Sequence, residues 1–364
     1  MATPAEVIIT RIKDVRKHPN ADRLDIAVVL GYQVATPRGT YNDGDRVVYF
    51  PADSLIPSDL AEGLGVKNYL RGKDKNRVAC VALRGESSFG LVVSVPVELQ
   101  SLPDGENVAE RFGVTKYEPP MLNFGFDAAE YDSDIDSHCE RFTDIQNGRI
   151  HTDVFTDGEP VIVTEKIHGC NSKVGVVNDI PVACSMGRSV GFTGRRKHPV
   201  DKEGILVQLD DPRIARSTYW FPWSLDPIRH FLYSVDGENV LVYGEIYGGS
   251  IQSNMNYGHP RGQILGFRVF DINVDGQYLD WDILVQVCNR WGMELVPVLY
   301  EGPFDFAKVN EMSDGPSTIC PDHHREGVVV RALHEGTHPK VGRRVLKYIG
   351  TTYELKKKFD FKDV

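Results

Sequence analysis

The chain is expected to fold as α+β, with a small antiparallel barrel first and a larger domain of antiparallel strands flanked by helices after it. Three observations predict this. Short β-rich runs separated by turn signals fill residues 1 to about 110. Strand signals also dominate residues 151–364, and one amphipathic helix, Trp281–Trp291, stands among them. At 364 residues the chain is too long for one small domain. Its 41% hydrophobic and 25% charged residues are ordinary for a soluble globular protein. No apolar run reaches the ~18–20 residues of a membrane span. Met1-Ala2-Thr3-Pro4-Ala5-Glu6 lacks the basic and apolar regions of a signal peptide.

In the first part the expected strands are Val7–Ile12, Arg23–Thr36, Arg46–Phe50, Arg77–Leu83 and Gly90–Val95, separated by Asn42-Asp43-Gly44, Pro51 and Arg84-Gly85. Five strands in about 100 residues suit a Greek-key barrel, with the OB-fold first among candidates. Residues 111–150 are turn-rich, carry Glu118-Pro119-Pro120 and an acidic run from Asp127 to Asp136, and read as a linker. The second part offers strands Pro160–Lys166, Lys173–Val177, Val240–Tyr247, Gly262–Val274, Gly327–Leu333 and Arg344–Ile349. Asp275-Gly276 is a two-residue hairpin signal. In the helix Ile283, Leu284, Val287, Cys288 and Trp291 share a face, and Gly292 is a stop.

Charge and cysteine usage narrow the function. A net charge of −10 argues against a protein coated in basic surface. The basic residues are nevertheless grouped: Arg188, Arg195, Arg196 and Lys197 form one set, and Arg343, Arg344, Lys347 and Lys356–Lys358 another. The six cysteines show no paired spacing, so free thiols in an intracellular, reducing compartment are expected, the cytoplasm if the source is bacterial or phage. Cys320, His323 and His324 have no second pair of metal ligands and read as loop residues.

The most informative stretch is Glu165-Lys166-Ile167-His168-Gly169-Cys170-Asn171. It puts one lysine at a strand end, before a tight glycine turn whose backbone can approach a phosphate closely. A nucleophilic lysine needs such placement, partly desolvated and beside other cations so that some of it is neutral. Downstream, charged or aromatic residues stand at strand ends where packing does not require them: Arg188, Glu245, Phe270-Asp271, Glu326-Gly327 and Lys347.

That ordered set resembles the covalent nucleotidyltransferase superfamily of ATP-dependent DNA and RNA ligases and capping guanylyltransferases. Lys166-Ile167-His168-Gly169 is closest to the nick-sealing RNA ligases, where DNA ligases and capping enzymes have Asp in place of His. Lys17-His18-Pro19-Asn20-Ala21-Asp22-Arg23-Leu24 resembles the opening of tRNA-binding OB domains, and some ligases of this type place an OB module first. The resemblance implies an ATP-dependent RNA ligase, a monomer acting on RNA with 3′-hydroxyl and 5′-phosphate ends at nicks in duplexes. It implies that Lys166 takes AMP from ATP, that Arg188 and Lys347 neutralise the α-phosphate, and that Glu165 and Asn171 line the ATP site. Glu245 would take the ribose hydroxyl and Phe270 would stack on adenine. Glu326 and Asp271 would hold Mg²⁺ or Mn²⁺, hard cations that prefer oxygen ligands, and His168 would serve the RNA steps.

The last motif departs from the Lys-x-Lys of many relatives, because Ile349 stands where the second cation belongs, and Arg343, Arg344 and Lys356 are its candidate replacements. Cys170 stands where some relatives have Thr. The rival readings are a DNA ligase or capping-type enzyme, against which His168 counts, and a non-catalytic RNA-binding protein working through the OB domain.

Overall fold

The computed structural model describes residues 5–72, 74–117, 132–139, 142–186, 194–252 and 255–360. They form two compact units. One takes the residues up to 117 together with 148–152 and 351–360; the other takes 132–147 and 153–350.

The first unit is built on strands β1 (Ile8–Arg11), β2 (Asp14–Lys17), β3 (Leu24–Val29), β4 (Tyr32–Pro37) and β5 (Arg46–Phe50), then helix α1 (Ser58–Gly63) and strands β6 (Val81–Leu83), β7 (Glu86–Ser88) and β8 (Leu91–Ser94). One antiparallel sheet runs β1-β5-β8, another β2-β3-β4. Strand β5 is buried on both faces: Val47 and Tyr49 enter one core with Ala27, Val29 and Val34, while Val48 and Phe50 enter a second with Val7, Ile9 and Ile56. That explains its unbroken apolar sequence, since only an edge or half-exposed strand needs polar alternation.

The single strand expected over Arg23–Thr36 is a hairpin instead. Val29 pairs with Tyr32 across Leu30 (φ +52°) and Gly31 (φ +79°). Two consecutive left-handed residues make the tight turn that suits twisted strands. Leucine rarely adopts that conformation, so the apolar pattern concealed the turn. The strand expected over Arg77–Leu83 is shortened to β6.

The second unit contains two five-stranded sheets. The first runs, in spatial order, β9 (Gln146–Asn147), β18 (Val345–Ile349), β17 (Gly327–Ala332), β10 (Pro160–Lys166) and β16 (Val298–Pro303). The second runs β12 (Ile180–Ser185), β11 (Cys170–Val177), β13 (Asn239–Tyr247), β14 (Gly266–Val274) and β15 (Gln277–Tyr278). Helices α2 (Asp226–Ser234) and α3 (Trp281–Trp291) pack with Val174, Val242 and Ile272 of the second sheet, in a core that includes Trp220 and Trp223. Helix α4 (Phe306–Met312) buries Val309 against Val161, Val163, Val328 and Val330 of the first. Asp275-Gly276 forms the expected turn between β14 and β15, and Gly292 (φ +71°) ends α3. Within α3, Trp281, Leu284 and Cys288 are buried, while Ile283, expected on the same face, is 42% exposed. The last helix, α5 (Thr351–Asp360), belongs to the first unit, where Leu355 joins the core of Val47 and Tyr49.

Of the stretch 111–150, the described part is partly built into these units. Phe142 packs on Tyr243, Phe270 and Tyr278, β9 pairs in parallel with β18, and Arg149 is buried against the Tyr32 ring, donating to its hydroxyl at 3.0 Å.

Candidate active site

The chain passes from one sheet of the second unit to the other through Ile167-His168-Gly169, between β10 and β11. Gly169 is required there for space. A Cβ at that position would lie 2.2 Å from the Ile246 carbonyl oxygen and 3.0 Å from Glu245 Cγ. The turn is therefore pressed against β13. Gly327, opposite Lys166 in register, is equally confined, with the Tyr348 carbonyl 2.2 Å from where its Cβ would be.

This confinement gathers charge. Lys166 Nζ lies 2.9 Å from Glu326 Oε1, and His168 Nδ1 lies 3.3 Å from Glu326 Oε2. The Lys166 side chain is 25% exposed and that of Glu326 14%. Burial alone would pull the Lys166 ammonium down, but the carboxylates of Glu326 and Glu245 outweigh it and hold the group above its ordinary value. Burial pushes Glu326 up, yet Lys166 and His168 more than offset it and bring it to about 2. Glu245 is left the loser in this competition. Burial first, then repulsion from Glu326, raises it to about 8, against the pull of Lys166 and a backbone hydrogen bond from Gly169. One ammonium thus faces two carboxylates: it helps bring Glu326 down, while burial and the Glu326 charge keep Glu245 raised. The lysine expected to sit beside cations and be partly neutral is instead held charged by anions.

Strand register places the other residues. Asn171 pairs with Glu245 across β11 and β13, so both face the same way, and Asn171 Oδ1 is buried without a hydrogen-bond partner. Lys347 lies opposite Val329, which lies opposite Thr164, so Lys347 shares a sheet face with Lys166 two strands away. Phe270 is the extra residue of a β-bulge: Tyr243 pairs with Asp271 and Gly244 with Val269, leaving Phe270 unopposed. It packs with Ile167, Tyr247 and Tyr257 and edge-on to Phe142, at 4.9 Å between centroids. Glu165, on the opposite face of β10 from Lys166, is buried. Its Oε2 accepts from Thr318 N (2.7 Å) and Oγ1 (2.6 Å), and its Oε1 has no partner. Arg188 lies outside the described residues.

Asp271 requires a correction. Expected as a metal ligand beside Glu326, it is 1% exposed and gripped by two guanidiniums, Arg343 Nη2 at 2.8 Å and Arg331 Nη1 at 3.6 Å. Both arginines also pair with Glu335, each at 2.7 Å. Its charge is thus committed to a buried ion cluster that ties β14 to β17. Among the described residues no group of three or more His, Cys, Asp or Glu could hold a metal by itself. The candidates for the missing second cation change too. Arg343 belongs to that cluster, Arg344 donates to Glu159 and to the Val154 carbonyl, and the Lys356 side chain lies outside what is described.

Several contributors were not apparent in the sequence. Tyr257 OH accepts the His168 N–H at 2.8 Å, Thr318 anchors Glu165, and Arg331 donates to the Phe270 carbonyl at 3.1 Å. Each reaches the site from a segment distant in sequence, so no local pattern announces it. Cys170 Sγ lies 3.1 Å from Tyr219 OH. Around the rejected metal candidates, His323 N donates to the Cys320 carbonyl in a tight turn.

A lysine, two carboxylates and a histidine at the junction of two sheets, with an aromatic bulge beside them, form an arrangement that could carry covalent transfer on a phosphate or acyl substrate. The comparisons with known proteins are more specific. The RNA ligase family matches residues 159–349, and the chain belongs to that family. An OB-fold domain family matches residues 6–95. No curated protein matches the chain. Among solved structures, RNA ligase of Naegleria gruberi with pyrophosphate is 22% identical, with a TM-score of 0.74 over 98% of this chain and 99% of that one. Variants of the same ligase superpose similarly: one with AMP and manganese at 22% identity and TM-score 0.72, one with ATP and manganese at 22% and 0.73, each covering 97% of this chain and 99% of that one. The shared fold extends over both units.

Proposed function

We propose that this RNA ligase is ATP-dependent and seals a 3′-hydroxyl to a 5′-phosphate at nicks in RNA-containing duplexes, as a monomer, through an AMP linked to Lys166. The observation that carries this reading is the convergence of Lys166 Nζ and His168 Nδ1 on the two oxygens of Glu326, inside the part of the chain that matches the family. The similar Naegleria ligase has been seen with ATP, AMP, pyrophosphate and manganese, which supports the same ligands here.

In the first step the Lys166 amine, once it has lost a proton, attacks the α-phosphorus of ATP. The P–N bond forms as the bond to the β-phosphate oxygen breaks, and pyrophosphate leaves. Lys347, on the same sheet face, neutralises charge on the α-phosphate oxygens, as Arg188 does by resemblance. Glu245 and Asn171 receive the ribose, and Phe270 stacks on adenine. Glu165, with one buried carboxylate oxygen unpartnered, has an acceptor for the base. The RNA 5′-phosphate then displaces Lys166 from AMP, and the 3′-hydroxyl displaces AMP. Positioning supplies most of the acceleration in such in-line displacements.

A divalent metal fits here only in part. Glu326, and the unpartnered Asn171 Oδ1 on β11 opposite Glu245, offer oxygen donors for an ion held chiefly by substrate phosphates, where it would neutralise charge; Asp271 does not. In the first unit, a cavity of about 550 Å³ is lined by Arg16, Lys17, Arg38 and Tyr41 together with Asp25 and Asp43, and its three cations and one aromatic ring are the groups there that could meet nucleic acid. A reducing, intracellular setting is part of the same proposal, and the reason for it is that the six cysteines show no paired spacing in the sequence.

The test is incubation with α-labelled ATP and metal, then a chase with nicked duplexes carrying ribose or deoxyribose at the 3′-hydroxyl end. Label on the protein that moves to RNA nicks supports the reading. Equal sealing of every duplex makes this a general polynucleotide ligase, and no label on the protein removes the lysyl-AMP mechanism.

A further inference from the structure

We propose that Tyr257 is a positioning residue for the nucleophile turn, a role resting on the reading of Lys166 as nucleophile. Tyr257 belongs to the irregular segment between β13 and β14 and shares no motif with the catalytic residues. It is 2% exposed, and its hydroxyl oxygen accepts the backbone N–H of His168 at 2.8 Å. That amide lies two residues after Lys166, in the turn that Gly169 presses against β13.

Three features separate this contact from ordinary packing. First, the Tyr257 backbone is left-handed, at φ +49°, an arrangement that a bulky side chain adopts only where its surroundings enforce it. Second, the ring is held on two sides, edge-on to Tyr247 at 5.3 Å and tilted against His323 at 6.1 Å, so the hydroxyl has a defined place. Third, the phenol lies within the field of Glu326, Glu165 and Glu245, and burial raises it far above its ordinary value. The hydroxyl therefore stays protonated, and its oxygen remains available as the acceptor for the His168 amide.

The consequence for chemistry is geometric. The turn 167–169 has to hold Lys166 Nζ at 2.9 Å from one oxygen of Glu326 while presenting His168 Nδ1 at 3.3 Å to the other. The space behind Gly169 limits motion toward β13. The hydrogen bond from His168 to Tyr257 limits motion of the turn away from it. Together they fix the direction from which the amine meets the α-phosphorus, which in-line displacement tolerates poorly when wrong.

The variant is Tyr257→Phe, which keeps the ring and removes only the acceptor. Tyr247→Phe, in the same aromatic group but with its hydroxyl 3.4 Å from Arg268 Nε, is the control. Two measurements are made on the full chain. Hydrogen–deuterium exchange of peptides spanning 166–170, without nucleotide, reads the hydrogen bond directly and needs no activity. Single-turnover labelling with α-labelled ATP then separates the rate constant from the ATP concentration at half-maximal rate.

For Tyr257→Phe we expect exchange at the His168 amide to rise at least tenfold while peptides of the outer strands keep their protection. We expect the labelling rate constant to fall about 10- to 100-fold, with half-saturation by ATP changed less than threefold. The control should match the wild type in both measurements. Labelling of Tyr257→Phe at the wild-type rate, or an equal loss in Tyr247→Phe, overturns the role. So does exchange that rises across the whole second unit, which would make the residue only structural. If the wild-type protein itself takes no label, the reading of Lys166 has failed, and the exchange result still decides whether Tyr257 holds the turn.

Discussion

A methyl group on Gly169 should slow AMP transfer to the protein by about 10²-fold. The added Cβ would sit 2.2 Å from the Ile246 carbonyl oxygen, roughly 1 Å inside the ordinary carbon–oxygen contact distance of about 3.3 Å. That oxygen belongs to the backbone of β13, paired with β11 on one side and β14 on the other, so it cannot yield. The turn must move instead, by about 1 Å, carrying Lys166 and His168 away from Glu326. A displacement of this size typically costs about 10² in rate, or some 2.7 kcal/mol of barrier. The left-handed region plays no part, because Gly169 does not occupy it. The assay is single-turnover labelling of Gly169→Ala with α-labelled ATP at saturation, beside Gly63→Ala, where a Cβ meets nothing within 4 Å. Labelling of Gly169→Ala within threefold of wild type would refute the reasoning, since the turn would then have freedom that the packing denies it.

Other outcomes follow from the same geometry. Lys166→Ala should take no label from α-labelled ATP yet still seal RNA whose 5′ end is already adenylylated; label on this variant would mean another nucleophile. Asp271→Asn should lower the melting temperature, because it leaves Arg331 and Arg343 buried with one anion fewer, at a cost of about 3–5 kcal/mol. A metal titration of its labelling activity should match the wild type, and a loss of metal affinity would restore Asp271 as a ligand. Glu326, held at about 2 against an ordinary 4.5, should stabilise the ligand-free protein above pH 4.5 and lose that contribution as pH falls toward 2. Thermal melts should therefore show Glu326→Gln less stable by about 2–3 kcal/mol at neutral pH, with the gap closing in acid; a constant gap would contradict the pairing. Removal of residues 1–110 should destabilise what remains as well as weaken strand joining, since Arg149 and Leu355 lose their partners in the first unit. Circular dichroism melts of the truncated chain check this, and an unchanged transition would refute it.

The legible features were local ones. Short, nearly unbroken apolar and β-branched runs marked β10, β13, β17 and β18, because each strand is buried along most of its length. Helix α3 was legible because its apolar spacing and its stop, Gly292, lie within a dozen residues. The turn between the two sheets was legible because Lys166-Ile167-His168-Gly169 is one short stretch, and the order of Glu245, Phe270, Glu326 and Lys347 along the chain carried the family resemblance. The Leu30-Gly31 turn was not, since a leucine in left-handed backbone is tolerated only by the strands around it. Charge assignment also depended on tertiary structure. Asp271 and Glu326 look alike in sequence, each an acid next to an apolar strand run. Folding brings Arg331 and Arg343 to the first and Lys166 and His168 to the second, and the charges that meet a carboxylate decide whether it ties sheets together or serves chemistry. The upward shift of Lys166 arises in the same way, from the carboxylates of Glu326 and Glu245, which reach it from segments far apart in the chain. Residue type and spacing determined which groups this protein has for its reaction; three-dimensional packing, which acts across sequence distance, determined which of them meet.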